Sequence, residues 1–141
     1  MKFLKHVEPT LSVPSIEETI AWYQRVLGWK GDCDVFDKDG KCLFGGVFGT
    51  EDCFFNLSQS ANGVTYPHEQ SQVSFMIKVD DVDSIYKRII ESEWKVSLPR
   101  NQHWGGRTIS LLDNNGFHLT IYQMIEEPTI EEIRNRFTAH S

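Results

Sequence analysis

Nine side chains on the longest strand candidates carry most of the chemistry that the sequence offers. Side chains alternate between the two faces of a strand, so parity assigns all nine to one face. They are Glu8, Thr10, Asn56, Ser58, Ser74, Met76, His118, Thr120 and Tyr122. Solvent-facing strands usually carry more charge than this set of hydroxyls, one amide, one carboxylate, one imidazole and one phenol. The lining predicts a ligand cavity with a few orienting groups, and an ordinary solvent-facing side of the sheet is the alternative.

The opposite parity collects only apolar side chains, which predicts the face that packs under the helices. These residues are Val7, Leu11, Phe55, Leu57, Val73, Phe75, Ile77, Leu119 and Ile121. The same strands therefore supply both a core and a polar lining.

The elements that position these residues occur twice in the same order. A strand over residues 7–13 precedes a helix with a Ser15–Glu18 capping box and a Gly28 stop, and strands follow near 34–36, 42–48 and 52–58. The second set is a strand over 72–79, a helix from Asp81 to about residue 93, and strands over 95–98, 106–112 and 117–123. Ser15 and Asp81 share the 66-residue offset that also relates Val13 to Val79.

This repeat predicts an α+β fold of two tandem βαβββ modules. The first module spans residues 1–58, a connector spans 59–71, the second module spans 72–124, and a tail spans 125–141. In the tail, Thr129 and Glu132 form a capping box. We expect a short C-terminal helix that packs on its own domain or on a second subunit.

Composition narrows the function classes. The 141 residues carry a formal net charge of −6, which disfavours nucleic-acid binding, and no apolar run has the length of a membrane helix. The first residues lack the pattern of a secretory signal. Cys33, Cys42 and Cys53 are an odd number without a CxxC spacing, so we expect reduced thiols, no structural zinc and a cytoplasmic location.

Three runs of residues resemble the vicinal oxygen chelate superfamily, which includes glyoxalases, bleomycin-resistance proteins and extradiol dioxygenases. Residues 11–29 resemble its opening strand and helix, residues 79–86 its second helix start, and residues 104–108 with 113–117 the hairpin of bleomycin-resistance-like members. The resemblance implies two modules whose mixed sheet curls around a cleft, and a homodimer. Metal-dependent members of the superfamily have one metal ligand on each of four strands. The resemblance implies that the corresponding positions in this sequence are Glu8, Asn56, Ser74 and Thr120.

These four residues predict that no metal or other cofactor is bound. Glu8 is the one anionic ligand, while the other three offer neutral oxygens, and transition metals need imidazole, thiolate or several carboxylates. His6 and His118 share the inward parity and are the alternative source of nitrogen ligands. Glu8 is the candidate catalytic residue, as a base with a raised pKa if it is desolvated. The alternatives are that Glu8 pairs with a cationic group of a ligand, with Arg107 or with another internal partner.

The remaining aromatic candidate for ligand contact is Trp104. The resemblance places it where bleomycin-resistance proteins stack an aromatic on planar ligands, and packing at the cleft rim is the alternative; Trp22 and Trp29 are expected in the core or at a dimer contact. The predicted ligand-binding residues are Glu8, Asn56, Ser74, Trp104, His118, Thr120 and Tyr122.

Three functions are compatible with these expectations. The leading hypothesis is metal-independent binding or sequestration of a small aromatic or cationic molecule, with neither nucleic acid nor membrane as a partner. The alternatives are a glyoxalase-type lyase, isomerase or dioxygenase with a non-standard site around Glu8, and an interaction subunit that retains only the fold.

Overall fold

The computed structural model describes residues 3–60 and 72–140, and the chain divides into two compact units, Met1–Pro67 and His68–Ser141. Each unit contains one βαβββ module, which confirms the predicted α+β class and the tandem repeat. The predicted connector lies almost entirely outside the described residues. Among the described helices, none is long and apolar enough to cross a membrane.

The first module is a four-stranded mixed sheet with one helix. Its elements are β1 (Thr10–Val13), α1 (Ile16–Trp22), a π-helical turn (Tyr23–Leu27), β2 (Lys30–Phe36), β3 (Cys42–Thr50) and β4 (Cys53–Gln59). The strand order is β1-β4-β3-β2, and β1 runs parallel to β4 while the other pairs are antiparallel. The central strand β4 therefore borders both β1 and β3.

Caps fix the ends of the first helix as the sequence predicts. The Ser15 hydroxyl accepts a hydrogen bond from the Glu18 N–H at 3.2 Å, and Gly28 ends the π-helical turn in the left-handed region at φ 72°. Glu17 accepts the Cys42 N–H at 2.8 Å, which joins α1 to β3 and lowers the pKa of the Glu17 carboxyl.

The second module repeats the arrangement. Its elements are β5 (Ser74–Lys78), α2 (Val82–Glu91), β6 (Arg100–Asn101), β7 (Gly106–Leu112) and β8 (His118–Met124), followed by α3 (Ile130–His140). The strand order is β5-β8-β7-β6, with β5 parallel to β8. The Asp81 carboxylate caps α2 by accepting the Ser84 N–H at 3.2 Å.

The strand register confirms the division into two faces. Leu11, Phe55 and Leu57 are buried in the first module, and Leu119 and Ile121 are buried in the second. The opposite face places Thr10 beside Asn56 and Met76 beside Thr120. Parity therefore identifies the core side of the central strands.

Two members of the predicted apolar face are exposed, and a third, Phe75, is only half-buried. Val7 is 93% exposed because β1 begins only at Thr10, and Val73 is 59% exposed because it precedes β5. The alternation of apolar and polar residues therefore predicted β1 and β5 to be longer than they are. Their parallel pairing with β4 and β8 begins only at Thr10 and Ser74.

The strand predicted over residues 95–98 is also wrong, since this segment contains no strand. Its Ser97 N–H nevertheless donates to the Ser110 carbonyl at 3.0 Å, so the segment lies along the edge of β7. The short strand β6 forms two residues later, at Arg100–Asn101.

The expectation of three reduced thiols is wrong for two of the cysteines. Cys33 and Cys42 form a disulfide across the β2–β3 hairpin, and Cys53 is free. The turn at Asp39-Gly40 brings the two strands together and leaves the cysteine Cα atoms 5.9 Å apart, within disulfide reach. Disulfides persist mainly in oxidising compartments, so the cysteines no longer support the cytoplasmic expectation.

The C-terminal helix forms as the capping box predicts. The Thr129 hydroxyl accepts the Glu132 N–H at 3.1 Å. Arg136 donates to the His103 carbonyl at 3.0 Å, and the rings of His103 and Phe137 lie 5.2 Å apart. Helix α3 therefore packs on its own module.

Candidate functional site

Glu8 and Asn56 lie together on the polar face of the first module. The Asn56 amide donates to one oxygen of the Glu8 carboxylate at 3.3 Å, and His6 Nε2 lies 2.9 Å from the other. Position 56 is set by the β1–β4 register, in which Thr10 pairs with Asn56. Glu8 lies just before β1, and its side chain contacts the amide of Asn56 on the neighbouring strand β4.

These contacts favour the ionised form of the Glu8 carboxyl. The Asn56 and His6 hydrogen bonds lower the pKa of Glu8, because both stabilise the ionised form. Its side chain is 47% exposed, so burial does not oppose them strongly. The carboxyl is not desolvated, so the condition for a raised pKa is not met, and Asn56 and His6 are its hydrogen-bond partners.

Arg107 has partners within the second module. Its guanidinium donates to the Asp83 carboxylate at 3.0 Å and to the Asn101 side-chain oxygen at 2.9 Å. The Asp83 contact raises the pKa of Arg107 further. Arg107 thus joins α2 to β6 and β7, and the partners of Glu8 are Asn56 and His6.

The polar face of the first module contains a pocket of about 380 Å³. Gly45 and Gly46 leave its floor without side chains, and three exposed carboxylates, Asp32, Asp34 and Glu51, border it. Its full lining is Asp32, Asp34, Gly45, Gly46, Val47, Phe48, Glu51, Phe54, Phe55 and Asn56. The first-module pocket is therefore acidic, with aromatic walls.

The polar face of the second module contains a larger pocket, of about 630 Å³. Three of the sequence-predicted site residues, Ser74, His118 and Thr120, line it. The register explains their proximity, since Ser74 pairs with His118 across β5–β8 and Thr120 pairs with Ser110 across β7–β8. The remaining lining residues are Trp94, Lys95, Val96, Ser97, Ser110, Leu111, Leu112, Asp113 and Leu119.

One wall of this second-module pocket is fixed by hydrogen bonds. The Trp94 indole N–H donates to the Leu112 carbonyl at 2.8 Å, and the Ser97 hydroxyl accepts the Ser110 N–H at 2.8 Å. Both bonds hold the segment after α2 against β7. Pre-organised walls reduce the entropy that a ligand must lose on binding.

Trp104 and Tyr122 form a separate aromatic pair on the same module. Their rings meet edge to face at 5.6 Å. A Cβ added at Gly106 would lie 2.2 Å from the Trp104 ring, so the indole covers this glycine. Neither residue lines the second-module pocket, whereas Trp22 is buried in the core and Trp29 stacks on Phe55, as predicted for core tryptophans.

The donor set does not fit a transition metal. In the first module, Glu8 supplies one carboxylate oxygen and Asn56 an amide, while in the second module Ser74 and Thr120 supply hydroxyls. Of the two alternative sources of nitrogen, the His6 ring is hydrogen-bonded to Glu8, and His118 lines the second-module pocket. Across residues 3–60 and 72–140, no three His, Cys, Asp or Glu side chains are grouped to hold an ion.

The comparison with protein families identifies the class. The model of the Glyoxalase/Bleomycin resistance protein/Dioxygenase superfamily matches residues 4–121. The chain therefore belongs to this superfamily, as the resemblance of its helix starts and hairpin implies. No curated protein matches its sequence at a significant level.

Solved structures with this fold include both binding proteins and enzymes. A glyoxalase-related enzyme from Clostridium phytofermentans is similar with a TM-score of 0.71 and 23% identity, over 86% of this chain and 96% of that one. A bleomycin-binding protein solved with bleomycin gives 0.63 and 20%, over 85% and 98%. The fosfomycin resistance protein FosX from Listeria monocytogenes, solved with Mn(II), gives 0.62 and 14%, over 96% and 99%. At these identities the likeness shows the fold alone.

Sequence reasoning missed part of both pocket linings. It did not identify Trp94 and Lys95 as lining residues, because it predicted a strand over residues 95–98 and assigned that strand no neighbour in the sheet. Asp32 and Asp34 alternate on β2 with the same parity as the lining, so extending the parity argument to β2 would have found them.

Proposed function

We propose that the protein binds and sequesters a small aromatic or cationic molecule without using a metal. The observation that carries this proposal is the chemistry at the four strand positions, which supply one exposed carboxylate and one amide in the first module and two hydroxyls in the second. The polar faces nevertheless line a pocket in each module. Pockets of this size favour the binding of a small molecule. Poor metal ligands disfavour catalysis by a bound metal ion that acts as a Lewis acid.

The first-module pocket supports the cationic part of this proposal. Asp32, Asp34 and Glu51 place negative charge at its border, and Phe48 and Phe54 provide aromatic surface. A cation beside an aromatic ring gains about 0.5–2 kcal/mol from the ring quadrupole. A planar cation would therefore find both attractions in the same pocket.

A solved structure with this fold adds a precedent for small-molecule binding. The bleomycin-binding protein was solved with bleomycin itself, and bleomycin is carried over here only as an example of the kind of ligand to be tested.

The test is a thermal-shift screen of planar, cationic and neutral compounds in excess EDTA, followed by calorimetric titration of those that raise the Tm. Asp32→Asn should weaken binding of a planar cation several-fold, because it removes charge at the pocket border. Asp39→Asn, an equal change in charge at the β2–β3 turn, should leave it unchanged. A screen in which no planar or cationic compound raises the Tm contradicts the proposal.

The second candidate is a glyoxalase-type lyase, isomerase or dioxygenase centred on Glu8. The His6–Glu8 pair at 2.9 Å favours it, because imidazole and carboxylate are the donors that transition metals accept. Asn56 adds only a neutral amide to that pair. Elemental analysis of protein purified without chelator separates the two candidates.

We further propose a homodimer, as the family resemblance implies. Ile130 and Phe137 on α3 are 73% and 56% exposed, which leaves apolar surface for a second copy. Light scattering coupled to size-exclusion chromatography should give twice the mass of one chain. A monomeric mass at all accessible concentrations contradicts the dimer.

A further inference from the structure

The second-module pocket differs from the first-module pocket in charge. Lys95 lines it as an exposed cation, and no described residue forms an ion pair with it. His118 is the other basic residue in the lining. The pocket therefore offers one exposed ammonium group and several hydroxyl donors in a mostly apolar lining.

The one carboxylate in the lining is already engaged. Asp113 is 2% exposed, and its Oδ1 atom accepts the backbone N–H groups of Asn115 and Phe117, each at 2.9 Å. These bonds form the turn between β7 and β8. Asp113 consequently serves the hairpin and does not offset Lys95 at the exposed border of the pocket.

Hydroxyl groups supply further donors. Ser74, Ser97, Ser110 and Thr120 all line the pocket. The Ser97 oxygen accepts a backbone N–H, so its own proton is free to be donated to a ligand. A ligand oxyanion would thus meet neutral donors as well as an ammonium group.

Aromatic and aliphatic surface completes the lining. The Trp94 ring is held by its bond to the Leu112 carbonyl, and Val96 and Leu112 add apolar contacts. A volume of about 630 Å³ lies within the range of small-molecule sites, roughly 300–1,000 Å³. The pocket is therefore built for a molecule that is partly planar and apolar.

We propose that the second-module pocket binds a small aromatic acid, with the ligand carboxylate beside Lys95 and the ring against Trp94. This inference rests on the proposed small-molecule function and narrows it at this pocket to anionic aromatic ligands. A charge-assisted hydrogen bond from lysine to carboxylate is stronger than its neutral counterpart.

The experiment uses three naphthalene probes that differ in charge: 2-naphthoate, the neutral 2-naphthamide of nearly equal shape, and 2-naphthylmethylammonium. Isothermal titration of the full chain at low ionic strength should show that naphthoate binds about tenfold more tightly than naphthamide. Lys95→Met should abolish this preference, and Lys95→Arg should largely retain it. Lys87→Met, the same change at an exposed position of α2, should leave it intact.

The outcomes separate this inference from the broader function. If the ammonium probe binds and naphthoate does not, the pocket assignment is overturned while small-molecule binding stands. If the preference for naphthoate persists in Lys95→Met, or is lost equally in Lys87→Met, the assignment is likewise overturned. Failure of all three probes to bind overturns the assignment alone, since the proposed function fails only when no compound of the wider screen raises the Tm.

Discussion

Glu8 illustrates how the surroundings of a single residue decide its chemistry. Its identity alone allows a base, a metal ligand or an ion-pair partner. Its exposed side chain and its bonds to Asn56 and His6 instead stabilise the carboxylate form. A carboxylate with a lowered pKa is a weak base near neutral pH, which disfavours acid–base catalysis by this group.

Replacing Asn56 should raise the pKa of Glu8. The Asn56 hydrogen bond is the largest cause of the lowered pKa and the His6 bond is the next, so Asn56→Leu should raise it more than His6→Ala. Carbon-detected NMR titration of the side-chain carboxyl measures both. Because the folded-state pKa lies below the unfolded one, the stability that Glu8 contributes is present above the unfolded pKa and is lost as the pH falls through the folded pKa. Identical titrations in the wild type and both variants would show that neither bond exists.

Residue parity predicted part of the candidate site from sequence. Ser74, His118 and Thr120 lie on the second-module pocket because strand alternation is a local property of the backbone. Trp94 and Lys95 could not be found in that way. Their positions depend on how the segment after α2 returns to β7, which is a tertiary contact.

At the scale of elements, the end of helix α2 shows a local conflict. Glu93 has φ 62°, in the left-handed region that is unfavourable for residues with a Cβ atom. The Glu93 and Trp94 N–H groups bond back to the Ile90 and Ile89 carbonyls, so the helix end holds this conformation. The left-handed conformation of Glu93 immediately precedes Trp94, which lines the second-module pocket.

Glu93→Gly should stabilise the protein by about 1 kcal/mol, because glycine adopts this conformation without the Cβ penalty. Glu91→Gly, two residues earlier at the last helical position, should instead destabilise it by about 0.5–1 kcal/mol. Urea unfolding monitored by circular dichroism measures both values. Destabilisation by both substitutions would contradict the left-handed assignment.

The β2–β3 hairpin carries the Cys33–Cys42 disulfide. Closing so short a loop should stabilise the protein by about 2–3 kcal/mol, so a Cys33→Ser/Cys42→Ser variant should lose roughly that amount. Cys53→Ser should have a much smaller effect on the free energy of unfolding, since Cys53 forms no disulfide. Urea unfolding gives the free energies, and thiol titration of the unfolded, unreduced chain should detect one reactive cysteine out of the three. Detection of all three would show that the disulfide is absent.

Helices were predicted more accurately than strands. The caps at Ser15, Asp81 and Thr129 lie in the local sequence, and each forms as expected. Strand ends at Val7 and Val73 depend on how far a neighbouring strand extends, and this information is not local. The disulfide also required the hairpin geometry, which the Asp39-Gly40 turn signal only partly specified.

At the scale of the whole molecule, the repeat and the family membership agree. Two modules with the same element order and a family match over residues 4–121 place the chain in a superfamily whose fold hosts binders and enzymes. Fold therefore does not choose between these functions. The choice depends on the donor atoms at the four strand positions and on the pockets beside them.

The most direct test of that choice is elemental analysis of protein purified without chelator. The donor set predicts substoichiometric zinc, nickel, iron and manganese, and no change in metal content in a Glu8→Gln variant. Stoichiometric metal in the wild type that is lost in Glu8→Gln would contradict metal-independent binding and would favour the enzyme.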